Sequence, residues 1–202
     1  ANFLLKLTKK NNIPCFSVLG DLINNFSKIL NQKASHIPSG QHILDDEYYD
    51  RIEAIQFTMN HDDGNLTNEI DKSEVILLGV SRTSKTPTSI YLANRGIRTS
   101  NIPLIDENSI PETLKKNPKS LCVVGLISEP SRLSDIRKNR INILKETEST
   151  NYTNFEKITK EVEESKKMFK KYGWPMIDVT RKSVEEIAAS VIKIYKIFKD
   201  ND

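Results

Sequence analysis

Residues 74–96, EVILLGVSRTSKTPTSIYLANRG, set an apolar run, Val75-Ile76-Leu77-Leu78, directly before Gly79 and a polar loop that ends in Lys85 and Thr86. The run is too short for a stable helix and rich in branched side chains, as a strand buried on both faces of a parallel sheet requires. Pro87 and the Ile90, Tyr91, Leu92 pattern then predict a helix, with Gly96 placed to end it in a left-handed cap. A strand, a loop and a helix in this order demand parallel neighbours and helices over the sheet. They also make a phosphate site, because a helix N-terminus offers unpaired backbone N–H groups and the positive end of the helix dipole. Lys85 would add a full charge near the terminal phosphate, and the Thr86 hydroxyl would ligate a magnesium ion. Against the pattern G-x-x-x-x-G-K-[ST], Ser84 stands where the second glycine belongs, so an ordinary βα turn with a solvated basic loop is the competing reading.

The remaining periodicities fit around this unit. Residues 16–30 place Val18, Leu19, Leu22, Ile23, Phe26, Ile29 and Leu30 at helical spacing and predict a core-facing helix. A polar loop carrying His36 follows, with His42 beside it; neither histidine has the neighbours of a metal cluster. A second helix is expected from Asp45 or Asp46 to about Met59, then a turn at His61-Asp62-Asp63-Gly64. Further strands are expected at 101–105, 121–127 and 176–179, and helices at 131–145, 152–172 and 183–198, the last opened by a capping box of Ser183 and Glu186. Arg132, Arg137, Lys138 and Arg140 give the first of these helices a basic face. It reads as solvated, or as a surface for phosphate or an acidic protein. The fold class is therefore α/β, a parallel sheet with a P-loop-like strand-loop-helix, preceded by amino-terminal helices; residues 1–70 form the helical portion and 71–202 the P-loop-like domain.

Composition narrows the function classes. With 37% hydrophobic and 28% charged residues and a net charge of +3, the chain reads as an ordinary soluble protein without bulk attraction to nucleic acid or membranes. No apolar run approaches the roughly 18 residues of a membrane span. Cys15 and Cys122 both read as buried thiols of a reducing compartment, which fits a cytoplasmic enzyme.

Phosphoryl transfer needs phosphates held, their charge neutralised and an acceptor hydroxyl aligned. Gly79, Val80, Ser81, Arg82, Thr83, Ser84, Lys85 and Thr86 are the candidates for holding the nucleotide, with Arg82 and Lys85 neutralising charge. A carboxylate beside the acceptor would come from Asp62, Asp63 or Asp178. Asp178 ends an apolar strand, where phosphate-loop enzymes place a magnesium-orienting Asp, so Thr86 and Asp178 are the expected metal pair.

The string GVSRTSKTPTSIYLA at 79–93, followed by Asn101-Ile102-Pro103-Leu104, closely resembles the bacterial and plant pyruvate, phosphate dikinase regulatory proteins. The likeness extends to Arg51-Ile52-Glu53-Ala54-Ile55 and His61-Asp62-Asp63-Gly64 before it. After it come Gly125-Leu126-Ile127, Arg132-Leu133, Ile136-Arg137 and Trp174-Pro175-Met176-Ile177-Asp178-Val179-Thr180, so that about residues 14–195 are covered. In that family Ser84 is the normal residue. The resemblance implies a bifunctional serine/threonine kinase and pyrophosphorylase. It would use ADP to phosphorylate a threonine beside the dikinase's catalytic phosphohistidine, and inorganic phosphate to reverse this with release of pyrophosphate. A sister group acts on phosphoenolpyruvate synthase and has Cys and Gly where this chain has Thr83 and Ser84, so the Thr-Ser form favours the dikinase. By family analogy a homodimer is expected. Members also carry a Ser-Asp-Ser-Thr-Gly-Glu-Thr-like segment near the amino end that residues 1–12 do not resemble, so a fragment or short member, impaired in one or both reactions, is expected. A small-metabolite kinase and a non-catalytic nucleotide-binding module are the alternatives; the lack of an Arg-rich lid insertion weighs against the former.

Overall fold

Two amphipathic helices open the chain, α1 (Asn2–Lys10) and α2 (Gly20–Ile29). The computed structural model describes residues 2–16, 19–34, 46–65, 67–144 and 152–200, and the chain divides into two units, Ala1–Ile43 and Leu44–Asp202. In the first unit the expectation of a core-facing helix fails. No described residue of α2 is buried, and Leu22 and Phe26 are 51% and 53% exposed. Periodicity marks which face is apolar, not what covers it. Cys15, expected to be buried, is exposed as well. His36 and His42 lie outside the described residues.

In the second unit α3 (Asp46–Asn60) leads into short helical turns at Asp62–Gly64 and Thr67–Lys72, and then into β1 (Val75–Gly79), buried at every position. There follow α4 (Lys85–Ala93), β2 (Thr99–Pro103), α5 (Glu112–Lys116) and β3 (Cys122–Ile127). The chain continues through α6 (Pro130–Leu144), α7 (Phe155–Tyr172), β4 (Met176–Asp178) and α8 (Val184–Lys199). All pairings are parallel, in the order β2-β1-β3-β4. The α/β class is as expected. Contacts group α3 with the sheet unit, since it packs against α4 and β2.

Strand alternation sorts the core onto the two faces of the sheet. Val75 and Leu77 of β1 pack with Leu92 of α4 and with Ile187, Val191 and Tyr195 of α8. Ile76 and Leu78 face the other way, with Leu114 of α5, Phe169 of α7 and Trp174. Phe155 is exposed at the start of α7. The Trp174 ring stacks on Tyr172 at 4.7 Å, and its indole Nε1 donates to the Pro118 carbonyl at 2.7 Å, near the amino ends of β3 and β4. The capping box of Ser183 and Glu186 is formed at the start of α8. No described helix is long and apolar enough to cross a membrane.

At Gly125 the sheet lies directly against the Phe169 ring of α7. A Cβ there would lie 2.6 Å from the Phe169 ring, which is fully buried. Gly125→Ala should therefore destabilise the protein by about 1–3 kcal/mol, since an overfilled core forces its neighbours off their rotamers. Urea unfolding of the variant checks this, and an unchanged midpoint would mean that α7 yields freely.

Candidate active site

The chain runs from β1 to β2 on one side and then returns to β3 on the other, so the strand order reverses at β1. Crevices for ligands form at the carboxyl ends of strands at such a reversal. Here the loop at residues 80–84 leaves β1 and delivers Lys85 as the first residue of α4. Within it Arg82 (φ +72°) and Ser84 (φ +58°) adopt left-handed backbone conformations. Ser84 thus takes the conformation glycine adopts freely, at a cost of about 1–2 kcal/mol for an L-residue. Alternating handedness of this kind gathers successive backbone N–H groups into an anion-binding concavity. Gly79 is required by close approach: a Cβ there would stand 2.6 Å from Thr83 Oγ1 and 2.7 Å from the Leu126 carbonyl oxygen. The Thr83 hydroxyl, fully buried, donates to the Val80 carbonyl at 2.9 Å and closes the loop.

Lys85 is buried, with 6% of its surface exposed, and its Nζ donates to the same Val80 carbonyl at 3.0 Å. Burial pushes the ammonium down to about 8, against the upward pull of Asp63 and Asp62. Beside it, Thr86 Oγ1 donates to the Asp62 carboxylate at 3.1 and 3.3 Å. Asn101 of β2 donates from its side-chain amide to Thr86 Oγ1 at 3.0 Å and to Asp62. A cavity of about 590 Å³ opens over this group. Asp62, Asp63, Arg82, Lys85 and Thr86 line it, with Ile136 and Arg140 contributed by α6.

Of the expected site residues, Ser81 and Ser84 also face this cavity, while Gly79, Val80 and Thr83 form the loop behind it. Asp178 does not line it. It ends β4, beyond β3, and accepts from the Thr180 backbone at 2.9 Å and from the Thr180 hydroxyl at 2.5 Å. Burial opposes its ionisation, yet these hydrogen bonds and the charges of Lys166 and Lys182 hold it below the usual carboxylate value. The structure therefore sets Thr86 against Asp62, not against Asp178. Strand order decides this, and strand order is not written in any single segment.

Arg82 Nε donates to the Tyr152 hydroxyl at 3.2 Å, and Ser81 Oγ lies 3.3 Å from the same oxygen. Burial works against the Tyr152 phenolate, but the hydrogen bonds from Ser81 and Arg82 and the charges of Arg82 and Arg137 outweigh it and lower its pKa. Arg137, read from sequence as part of a solvated basic face, is 1% exposed. Its guanidinium lies 4.8 Å from the Tyr152 ring centroid, pairs with Glu161 at 2.7 Å and reaches the Ser81 carbonyl at 3.4 Å. It braces the loop from behind. The sequence reading gave Arg140 only as one of four basic residues on a solvated or phosphate-facing surface, and gave Asn101, Ile136 and the loop contact Tyr152 no role in the site. Asn101 carried a signal too, as a polar residue in the middle of a buried strand.

Because Lys85 titrates near 8 when folded and at its ordinary 10.5 when unfolded, the unfolded chain binds more protons between those values, and stability rises with pH there. Wild-type stability should climb relative to Lys85→Met across this window, by at most about 1.4 kcal/mol per pH unit. Parallel pH profiles in thermal unfolding would show that Lys85 is not held in a desolvated site.

Comparison with known proteins bears on what this cavity serves. The kinase/pyrophosphorylase family model matches residues 1–192. A Pelagibacter ubique protein named as a pyruvate, phosphate dikinase regulatory protein is 72% identical over 201 residues, covering the whole chain and 73% of the relative. Proteins of the same name from Paramagnetospirillum magneticum and Bartonella tribocorum are each 44% identical, over 91% and 98% of this chain. The chain spans 59% of the first of these two and 71% of the second. With the family model matched over residues 1–192, and with 72% identity to one such relative, the chain belongs to the kinase/pyrophosphorylase family.

Proposed function

We propose that the chain is a bifunctional regulator of pyruvate, phosphate dikinase. It phosphorylates a threonine of that enzyme with ADP as donor, which switches the enzyme off, and removes the phosphoryl group with inorganic phosphate, releasing pyrophosphate. The observation that carries this reading is the buried Lys85 ammonium at the N-terminus of α4, facing the same cavity as Asp62, Asp63 and Arg82. Kinase/pyrophosphorylase membership and the shared name of the relatives support it, as does the Thr83-Ser84 form of the loop.

In the forward direction the diphosphate of ADP sits on the N–H groups of the loop at residues 80–86, with Lys85 against its terminal phosphate. The threonine hydroxyl attacks the terminal phosphorus, the bond to the bridging oxygen breaks, and AMP leaves. A carboxylate, Asp63 or Asp62, takes the hydroxyl proton. Arg82 meets the charge spread over the transferring phosphoryl group. In the reverse direction an oxygen of inorganic phosphate attacks the phosphothreonine phosphorus, forming pyrophosphate, and the threonine oxygen regains its proton. The Thr86 hydroxyl and Asp62 carboxylate are adjacent hard oxygen donors and suit magnesium, which takes few protein ligands and completes its shell with phosphate and water. When bound it would neutralise charge between phosphate oxygens.

Isothermal titration with ADP, followed by a threonine phosphorylation assay on the dikinase, tests the proposal. Lys85→Ala should weaken ADP binding about ten- to a hundredfold, the loss of a charge-assisted contact of about 1.5–3 kcal/mol. Asp62→Asn and Asp63→Asn, made separately, should in at least one case reduce turnover more than ADP affinity, as expected of a group acting in the transition state. A Lys85→Ala protein with native ADP affinity would move the nucleotide elsewhere.

A further inference from the structure

Asn101 occupies the third position of β2, fully buried, and makes three hydrogen bonds to two other segments. Its backbone N–H donates to the His61 carbonyl at 3.1 Å, its side-chain amide donates to the Asp62 carboxylate, and the same amide donates to Thr86 Oγ1 at 3.0 Å. The turn bearing Asp62 and the first turn of α4 are thereby tied to one strand. Packing alone does not explain an amide here. Asn101 Oδ1 is buried without a hydrogen-bond partner, a cost that a leucine of similar size would avoid. In the turn itself Asp63 (φ +51°) and Gly64 (φ +78°) both have left-handed backbone, a conformation that persists where neighbouring contacts hold it. The Lys85 ammonium feels the Asp62 charge, while its Nζ donates to the Val80 carbonyl.

We propose that Asn101 is a positioning residue for phosphoryl transfer. It sets the Asp62 carboxylate against the Thr86 hydroxyl, so that the two oxygens face the bound phosphates as one unit and Asp62 is kept from collapsing onto Lys85. This rests on the ADP-dependent reading above. Because Asn101 acts through Asp62, its loss changes how donor oxygens are presented and leaves the N–H groups of the loop at residues 80–86 untouched. Groups that orient ligating side chains typically contribute about 10–100-fold in activity or metal affinity.

The experiment is a double-mutant cycle of wild type, N101L, D62A and the double variant, assayed for threonine phosphorylation at saturating ADP and over a magnesium titration. N101L should lower kcat about ten- to a hundredfold, leave ADP affinity measured without magnesium within about twofold, and raise the magnesium concentration for half-maximal rate about tenfold. In the D62A background it should cost less than about twofold more. Full additivity, or a normal kcat and magnesium response in N101L, overturns the proposal. N101D, isosteric with the native residue, carries the test if N101L does not fold. Its activity should recover as pH falls and the introduced carboxyl regains a donor proton, whereas a flat pH profile relative to wild type counts against the proposal. Thermal unfolding of the same four proteins reads the coupling without nucleotide, and additive shifts there also overturn it. A wild-type chain that binds no ADP sinks the function proposed above, while the unfolding cycle still decides whether Asn101 and Asp62 act together.

Discussion

The interaction on which the site depends is an unfavourable one. The Lys85 ammonium is buried at the N-terminus of α4, where the helix dipole is positive, and a cation in that position is repelled by the helix that carries it. The Val80 carbonyl accepts one hydrogen bond from it and two carboxylates lie near, yet burial prevails and the ammonium loses its proton more readily than an exposed lysine does. The left-handed Arg82 and Ser84 add strain in the same few residues. Folding is driven elsewhere, by the two apolar faces of the sheet, and their surplus tolerates a locally unfavourable loop. An anion over that loop would reconcile the charge of Lys85 with the helix dipole.

Much of this was legible in the sequence. The run at 75–78 had to be a strand buried on both sides, and it is; the helix after Lys85 and the capping box of Ser183 and Glu186 also follow from local chemistry. Local chemistry fails wherever the decision belongs to tertiary contact. Asp178 and Asp62 are both acidic residues beside structured segments, and only the order β2-β1-β3-β4 puts one at the far strand while the turn after α3 carries the other to Thr86. Helical periodicity in α2 identified an apolar face, but not its exposure.

Arg137 illustrates the same limit for charge. Four basic residues on one helix look equivalent in sequence, yet the structure sinks one of them between Tyr152 and Glu161 and leaves Arg140 at the cavity. The buried guanidinium keeps a partner for its charge and an aromatic face for its plane, which a lysine could not match. Its hydrogen bond to the Ser81 carbonyl links α6 to the loop, so substitutions on that helix need not touch a ligand to alter the site.

The placement of Trp174 has a practical consequence. It is the one tryptophan of the chain, 5% exposed, stacked on Tyr172 and anchored to the Pro118 carbonyl at the amino edge of the sheet, whereas the cavity opens at the carboxyl edge. Its emission spectrum is therefore a gauge of the integrity of the α/β unit, shifting to the red when Trp174 meets water. The dye is built in at the end of the sheet where occupancy of the cavity causes least disturbance. Fluorescence excited at the indole band should follow unfolding of the α/β unit, and titrations of the cavity call for a reporter introduced on the other edge.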